Sequence, residues 1–177
     1  AISTSFDKSV GHDFIEDVED RWDFYNKKEE KIPSGLEHFD YILKGGFPSK
    51  TLGVIMAGTG VGKSLFMCSM ASSLMESGHN VLYITLEMAE EKIAQRIDQN
   101  LLNLSSEDLD VIGKDSFLKR FGNLKMKTRG RLIVKEYPTK SAHAGHFRAL
   151  LKELEIKKDF FPDLVCIDYL NICTAMG

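Results

Sequence analysis

Between positions 51 and 168, short continuous runs of hydrophobic residues alternate with segments in which hydrophobic residues recur at helical spacing. The continuous runs predict strands at TLGVIMA (51–57), NVLYITLE (80–87), RLIVKEYP (131–138) and DLVCID (163–168). The segments with one apolar face predict helices at KSLFMCSMASSLMESG (63–78), AEEKIAQRIDQNLL (89–102) and AGHFRALLKELEIKK (144–158). Strands that alternate with helices at this spacing predict an α/β fold, a mostly parallel sheet with helices on both faces.

The N-terminal region is dense in charge but carries one apolar stripe. Phe14, Val18, Trp22 and Tyr25 recur at the spacing of a helix within residues 13–31. A single apolar stripe on an otherwise solvated helix needs a surface to cover it. That surface belongs either to the chain's own core or to a neighbouring subunit, and the pattern leaves both possibilities open.

A polar region at residues 103–130 separates the second predicted helix from the third predicted strand. Its basic run KMKTRGR contributes Lys125, Lys127, Arg129 and Arg131. No aromatic residue interleaves these charges to stack on bases, so a solvated turn entering the strand is favoured over a nucleic-acid contact.

Charge and cysteine content narrow the class of protein. Lys and Arg total 23 against 26 Asp and Glu, a net charge of −3 that gives no general basic field for a nucleic-acid backbone. The apolar runs are too short to span a bilayer and the N-terminus lacks a signal-peptide core, so we expect a cytoplasmic protein. Cys68, Cys166 and Cys173 lie in apolar surroundings and have neither a CxxC nor a zinc-like spacing, which predicts reduced, buried thiols.

Residues 57–64, AGTGVGKS, fit the phosphate-binding loop pattern [AG]xxxxGK[ST] between a predicted strand and a predicted helix. Its glycines permit positive φ and close approach of the backbone, so the amides can converge on a β-phosphate at the helix N-terminus. Lys63 supplies charge to the β- and γ-phosphates, and Ser64 supplies a hydroxyl to Mg²⁺. The predicted nucleotide-binding residues are Gly58, Thr59, Gly60, Val61, Gly62, Lys63 and Ser64.

Two acidic residues end predicted strands at the edge where this loop should lie. Asp168 follows the apolar run LVCI and can hold Mg²⁺ through water, or it merely ends its strand. Glu87 ends the second strand and can orient and deprotonate the water that attacks a γ-phosphate, or it caps the next helix. His143 and His146 have a spacing that can share a metal, but no third ligand lies nearby in sequence, which disfavours zinc.

Longer motifs surround the loop: KIPSGLEHFDYILKGGFPSKTL ahead of it, NVLYITLEMAEEKIAQRI after it, and LVCIDYLNI near the end. With these motifs the sequence resembles the RecA-like motor domain of DnaB-type hexameric replicative helicases, and within that family the helicases of T-even-like bacteriophages. The LEM segment with its downstream Arg, together with IDYL, is more discriminating than the phosphate-binding loop.

This resemblance implies a site and a set of partners. Lys63 and Ser64 would bind ATP and Mg²⁺, Asp168 would be the acid near the metal, and Glu87 would be the catalytic base. Residues 1–31 would form an arm whose linker helix docks on the neighbouring subunit, and residues 32–177 a partial ATPase domain. The γ-phosphate sensor, the DNA-binding loops and the arginine finger are expected beyond Gly177.

The implied function is an ATP-dependent helicase motor, a homo-hexamer that moves single-stranded DNA and meets a primase and a helicase loader. The alternative is a KaiC-like or RadA-like regulatory or recombination ATPase that acts through protein contacts. A small-molecule kinase fits poorly, because a glutamate placed to activate water would waste ATP.

Overall fold

The computed structural model describes residues 11, 13–27, 30–58, 60–169 and 173. The helices are α1 (Val18–Asn26), α2 (Glu37–Ile42), α3 (Lys63–Glu76), α4 (Glu90–Leu102), α5 (Ser106–Val111), α6 (Lys114–Lys127) and α7 (Ala144–Lys158). The strands are β1 (Lys31–Ile32), β2 (Phe47–Pro48), β3 (Val81–Thr85), β4 (Leu132–Glu136) and β5 (Leu164–Asp168). None of the described helices is long and apolar enough to cross a membrane.

The central sheet has three parallel strands in the order β4-β3-β5. In its register the last residues of the strands are paired, Thr85 with Glu136 on one side and with Asp168 on the other. The carboxyl ends of the strands therefore meet at one edge of the sheet. The predictions of a parallel sheet and of its second, third and fourth strands are confirmed.

The two faces of the sheet pack against different helices. Val81 and Tyr83 face α3 and α4, where they join a core cluster that includes Cys166. Leu82 and Ile84 face the opposite side and pack with residues of α7. β3 is buried at every position because it is central and covered on both faces. The predicted helices on both faces are thus confirmed, and α3 is held directly above the sheet.

The strand predicted at residues 51–57 is wrong for this structure. No strand forms over residues 51–58, and the side chains of Leu52, Val54 and Met56 are 86%, 72% and 89% exposed. Only Ile55 of this segment packs against the core cluster that α3 covers. An apolar run becomes a strand only where a neighbouring strand accepts its backbone hydrogen bonds, and none of the described strands pairs with this segment.

The polar region at residues 103–130 is mostly helical, because α5 and α6 occupy it, so the solvated turn predicted for the basic run KMKTRGR is confined to residues 128–131 between α6 and β4. A capping box begins α5: the Ser105 hydroxyl accepts from the Asp108 amide at 3.0 Å, and the Asp108 carboxylate accepts from the Ser105 amide at 3.0 Å. Lys125 and Lys127 lie in the last turn of α6, where cations stabilise the negative end of a helix. Part of the basic run therefore has a helix-terminal role.

The predicted N-terminal helix is present over Val18–Asn26. Its apolar stripe is uncovered, since Phe14, Val18, Trp22 and Tyr25 are all between 55% and 75% exposed. Of the two surfaces that the sequence left open, the chain's own core does not cover the stripe in the described part of the chain.

Candidate nucleotide-binding site

The glycine-rich loop adopts the left-handed backbone that its sequence predicts. Gly60 has φ of 76° and Gly62 has φ of 100°. A Cβ at either position would meet no atom within 4 Å, so the constraint comes from the backbone angle and not from crowding. The Val61 amide donates to the Gly58 carbonyl at 3.4 Å and closes the turn. Thr59 lies outside the described residues.

This loop runs directly into the N-terminus of α3. Gly62 is the N-cap, Lys63 and Ser64 are the first two helical residues, and none of the described side chains caps this end. The first turn also contains no acidic residue. The first amides of a helix have no partner within the helix and carry its positive end, so this end of α3 can accept an anion.

Lys63 and the end of β5 lie side by side. The Lys63 ammonium nitrogen is 3.9 Å from the centre of the Tyr169 ring. Tyr169 directly follows Asp168, the last residue of β5. The loop lysine and the strand-end aspartate, 105 positions apart in sequence by their numbers, are therefore brought to the same edge of the sheet.

Asp168 lies at the end of β5, as predicted, but it is almost completely buried, with only 1% of its surface exposed. Its Oδ2 accepts a hydrogen bond of 3.0 Å from the Tyr83 hydroxyl. Its Oδ1 has no partner among the described residues. The Cys68 thiol is a donor to the Tyr83 hydroxyl, with 3.9 Å between its sulfur and the phenolic oxygen.

Burial fixes the protonation of the groups around Asp168. It raises the pKa of Tyr83 far above the usual range, with the nearby Cys68 and Asp168 adding to the effect. Burial likewise raises the pKa of Cys166 to about 12 and raises that of Cys68. Tyr83 therefore keeps its proton and acts as a donor to Asp168. The described cysteines are free, as predicted, and Cys68 and Cys166 are buried, whereas Cys173 is only partly buried.

Glu87 lies just beyond the carboxyl end of β3, next to β5. The Leu86 amide donates to the Asp168 carbonyl at 2.9 Å, which continues the pairing of the two strands up to Leu86, the residue before Glu87. The Thr85 hydroxyl then accepts from the Met88 amide at 3.1 Å and donates to the Met88 carbonyl at 2.8 Å. These bonds hold a tight turn in which the Glu87 side chain is exposed.

Glu87 does not cap α4, which was the alternative role considered for it. The N-cap of α4 is Ala89, and the Glu90 amide in its first turn donates to the Glu136 carboxylate at 3.1 Å. The Glu136 amide in turn donates to the Glu90 carboxylate at 3.2 Å. Sequence analysis missed this exchange between the end of β4 and the start of α4, because it depends on strand order.

The two histidines considered for a metal form the N-terminal cap of α7. The His143 Nδ1 accepts from the Gly145 amide at 3.0 Å, and the His146 Nδ1 accepts from the His143 amide at 3.3 Å. Both Nδ1 lone pairs therefore serve the helix terminus.

Comparison with known proteins gives a consistent picture. Residues 31–177 match the family model of the DnaB-like helicase C terminal domain. The chain is 49% identical over 179 residues to the DnaB-like replicative helicase of Enterobacteria phage T4, covering 99% of this chain and 38% of that protein. It is 35% identical over 82 residues to the DNA repair protein RadA of Campylobacter jejuni, covering 39% of this chain and 18% of that protein.

Among solved structures, a DnaB-like replicative helicase studied with its interactions with primase has the same fold, with a TM-score of 0.65 at 16% identity. The match covers 93% of this chain and 41% of that one, so the chain spans less than half the length of these helicases. The α/β fold is accordingly that of a RecA-like ATPase domain. On the extent of the family match and the identity to the phage protein, this chain belongs to the DnaB-like helicase C-terminal domain family.

Proposed function

We propose that this chain is the ATPase part of a replicative DNA helicase, which hydrolyses ATP with Mg²⁺ at subunit interfaces to move along single-stranded DNA and unwind duplex DNA. One observation carries the proposal. The glycine-rich loop, Lys63, Asp168 and the turn bearing Glu87 converge at one edge of the sheet, through the Lys63 contact with Tyr169 and the Leu86 bond to Asp168. Hydrolysis of a triphosphate needs a site that binds the phosphates with a lysine, and acidic residues beside it that serve the metal ion and the attacking water.

The phosphates would be held by the loop and by the start of α3. The left-handed angles of Gly60 and Gly62 turn the backbone so that its amides can point inward, and the uncapped first turn of α3 adds further donors. Lys63 would place its charge on the β- and γ-phosphates. The residues proposed for this role are Gly58, Thr59, Gly60, Val61, Gly62, Lys63 and Ser64.

The oxygen donors beside this loop fit Mg²⁺, which prefers oxygen ligands and retains several waters. The Ser64 hydroxyl would ligate the ion directly, and the unpartnered Oδ1 of Asp168 would accept from one of its waters. When bound, the ion would neutralise charge that develops on the phosphate oxygens. Glu87, exposed at the end of β3, would orient the attacking water and take its proton.

The same proposal divides the chain into an arm with a linker helix at residues 1–31 and a partial ATPase domain at residues 32–177. The uncovered stripe on α1 would dock on the neighbouring subunit of a homo-hexamer. An arginine from the adjacent subunit would complete the site in trans, which is worth on the order of 10³ to 10⁵ in rate where it occurs.

Single-stranded DNA would pass through this ring. A primase is a proposed protein partner, since the structural relative was studied with its interactions with primase. A helicase loader is proposed from the resemblance of the sequence to DnaB-type helicases. Replication of phage DNA would place the assembly in the cytoplasm of the host cell.

The decisive experiment measures ATP turnover by the full-length protein with and without single-stranded DNA. We expect turnover to rise with DNA, and Lys63→Ala to abolish both nucleotide binding and turnover. Lys92→Ala is a matched control, because Lys92 is exposed on α4 and forms a bond with Gln95 of the same helix. DNA-independent turnover that remains after Lys63→Ala would refute the proposal.

A RadA-like role is the second candidate, supported by the 35% identity to RadA over 82 residues. It predicts ATP turnover coupled to a recombination partner and no unwinding of a forked duplex. Strand displacement on a forked substrate therefore separates the two functions.

A further inference from the structure

Asp168 has an unusual environment for an acid that serves a metal site. It is 1% exposed, and a buried carboxylate needs hydrogen-bond donors to offset its lost hydration. Among the described residues the Tyr83 hydroxyl is the donor to its Oδ2, while Oδ1 is the single buried side-chain oxygen or nitrogen without a partner. The two oxygens are therefore distinct: one is held and the other is left for a ligand.

The surroundings of Tyr83 fix the position of its hydroxyl relative to Asp168. It is fully buried at the centre of β3, and its register partner on β5 is Cys166, two residues before Asp168 on the same face. The Cys68 thiol of α3 lies 3.9 Å from the phenolic oxygen and occupies its acceptor side. With that side taken, the hydroxyl proton is directed to Asp168.

We propose that Tyr83 is a positioning residue for the metal–nucleotide site: its hydroxyl anchors Oδ2 of Asp168 and so presents Oδ1 to the water shell of the bound Mg²⁺. This inference rests on the proposed role of Asp168 at the metal. The line of contacts from Cys68 through Tyr83 to Asp168 links the interior of α3 to the same strand end that α3 approaches with Lys63.

The test is Tyr83→Phe in the full-length protein, which keeps the ring and removes the hydroxyl. The readout is binding of a fluorescent ADP analogue, N-methylanthraniloyl-ADP, as Mg²⁺ is titrated. We expect the Mg²⁺ midpoint to rise about tenfold, the lower end of the effect of losing a partner of a metal-site carboxylate. Binding of the analogue in EDTA should be unchanged, because the phosphate-binding loop is untouched.

Cys166→Ala is the matched control for disturbance of the core, since Cys166 is buried beside Tyr83 and its thiol takes part in neither the bond of Tyr83 with Cys68 nor that with Asp168. Its Mg²⁺ midpoint should stay within about twofold of the parent. A parental midpoint in folded Tyr83→Phe overturns the proposal. So does a Tyr83→Phe protein that fails to melt cooperatively above the assay temperature, because the hydroxyl would then serve the fold.

Asp168→Asn separates failure of this inference from failure of the proposed function. We expect Asp168→Asn to raise the Mg²⁺ midpoint by itself, and Tyr83→Phe to add less than about twofold in that background, because both changes act on one contact. An Asp168→Asn protein with the parental midpoint would overturn the metal role of Asp168 as well. A shifted midpoint in Asp168→Asn with none in Tyr83→Phe would overturn the role of Tyr83 alone.

Discussion

Glu87 differs from the other acids at the carboxyl edge of the sheet in being exposed and set in a tight turn. Asp168 is buried and bonded to Tyr83, while Glu90 and Glu136 accept from each other's backbone amides. Proton transfer from water needs a carboxylate that solvent and a reacting phosphate can both reach. Among these four acids, Glu87 is the one whose placement suits a general base.

Glu87→Gln is therefore expected to retain nucleotide binding and to lose hydrolysis. Glutamine keeps the size and polarity of the side chain but cannot accept the proton, and loss of a general base typically lowers rates by about 10²- to 10⁴-fold. The measurement is DNA-stimulated ATP turnover by the full-length protein, with nucleotide affinity determined in parallel. Glu91→Gln, an exposed glutamate in the first turn of α4, is the control. Wild-type turnover by Glu87→Gln would refute the assignment of the base.

The role of a residue could be predicted from the sequence where it depends on residues a few positions away. The positive φ of Gly60 and Gly62 and the place of Lys63 at a helix start follow from neighbouring positions in one loop. The bond between Tyr83 and Asp168 could not be predicted, because it joins residues 85 positions apart. It depends on the register of β5 against β3, which no local pattern encodes.

At the scale of elements, α4 is attached to the sheet by its apolar face. Ile93 and Ile97 are buried in the cluster that also contains Val81 and Tyr83. The opposite side of the helix is exposed, as the spacing of its apolar residues predicts. Since α4 follows the turn that carries Glu87, its packing determines where that turn lies.

Ile93→Ala should lower the free energy of unfolding by about 2 to 5 kcal/mol, because it leaves a cavity at a fully buried position. Denaturant unfolding followed by circular dichroism measures the change. Ile156→Ala is a matched control on α7, where the isoleucine is 81% exposed, and should change the free energy by no more than about 0.5 kcal/mol. Equal losses at the two sites would contradict this account of the core.

The strand predictions were correct only where an apolar run also has a neighbouring strand to pair with. The segment 51–57 has the composition of a strand, yet its described residues are unpaired and largely exposed. β3 has a similar apolar run and forms because β4 and β5 flank it. The helices α5 and α6 were missed because their weak apolar stripes resemble a polar loop, although a capping box begins α5.

At the scale of the whole molecule, the N-terminal helix is one of the places where large apolar side chains lie exposed. The stripe of Phe14, Val18, Trp22 and Tyr25 remains exposed, although aromatic residues of this size are usually covered. The described part of the chain buries its core without using this stripe. A second subunit is the proposed cover, and assembly would then bring the arginine from the neighbouring subunit to the nucleotide.

Trp22→Ala in the full-length protein should weaken assembly without weakening the subunit. Trp22 is 66% exposed, so its removal leaves the core intact, whereas a buried aromatic anchor at an interface commonly contributes about 2 kcal/mol or more. We expect the concentration at which the proposed hexamer dissociates to rise at least about tenfold in sedimentation experiments. Tyr41→Ala is the control, since Tyr41 is an aromatic residue that is 82% exposed but lies on α2, away from the stripe. DNA-stimulated turnover should fall with assembly in Trp22→Ala and recover at high protein concentration, because the site is then completed in trans. An unaltered dissociation profile in Trp22→Ala would show that α1 does not dock on a neighbouring subunit.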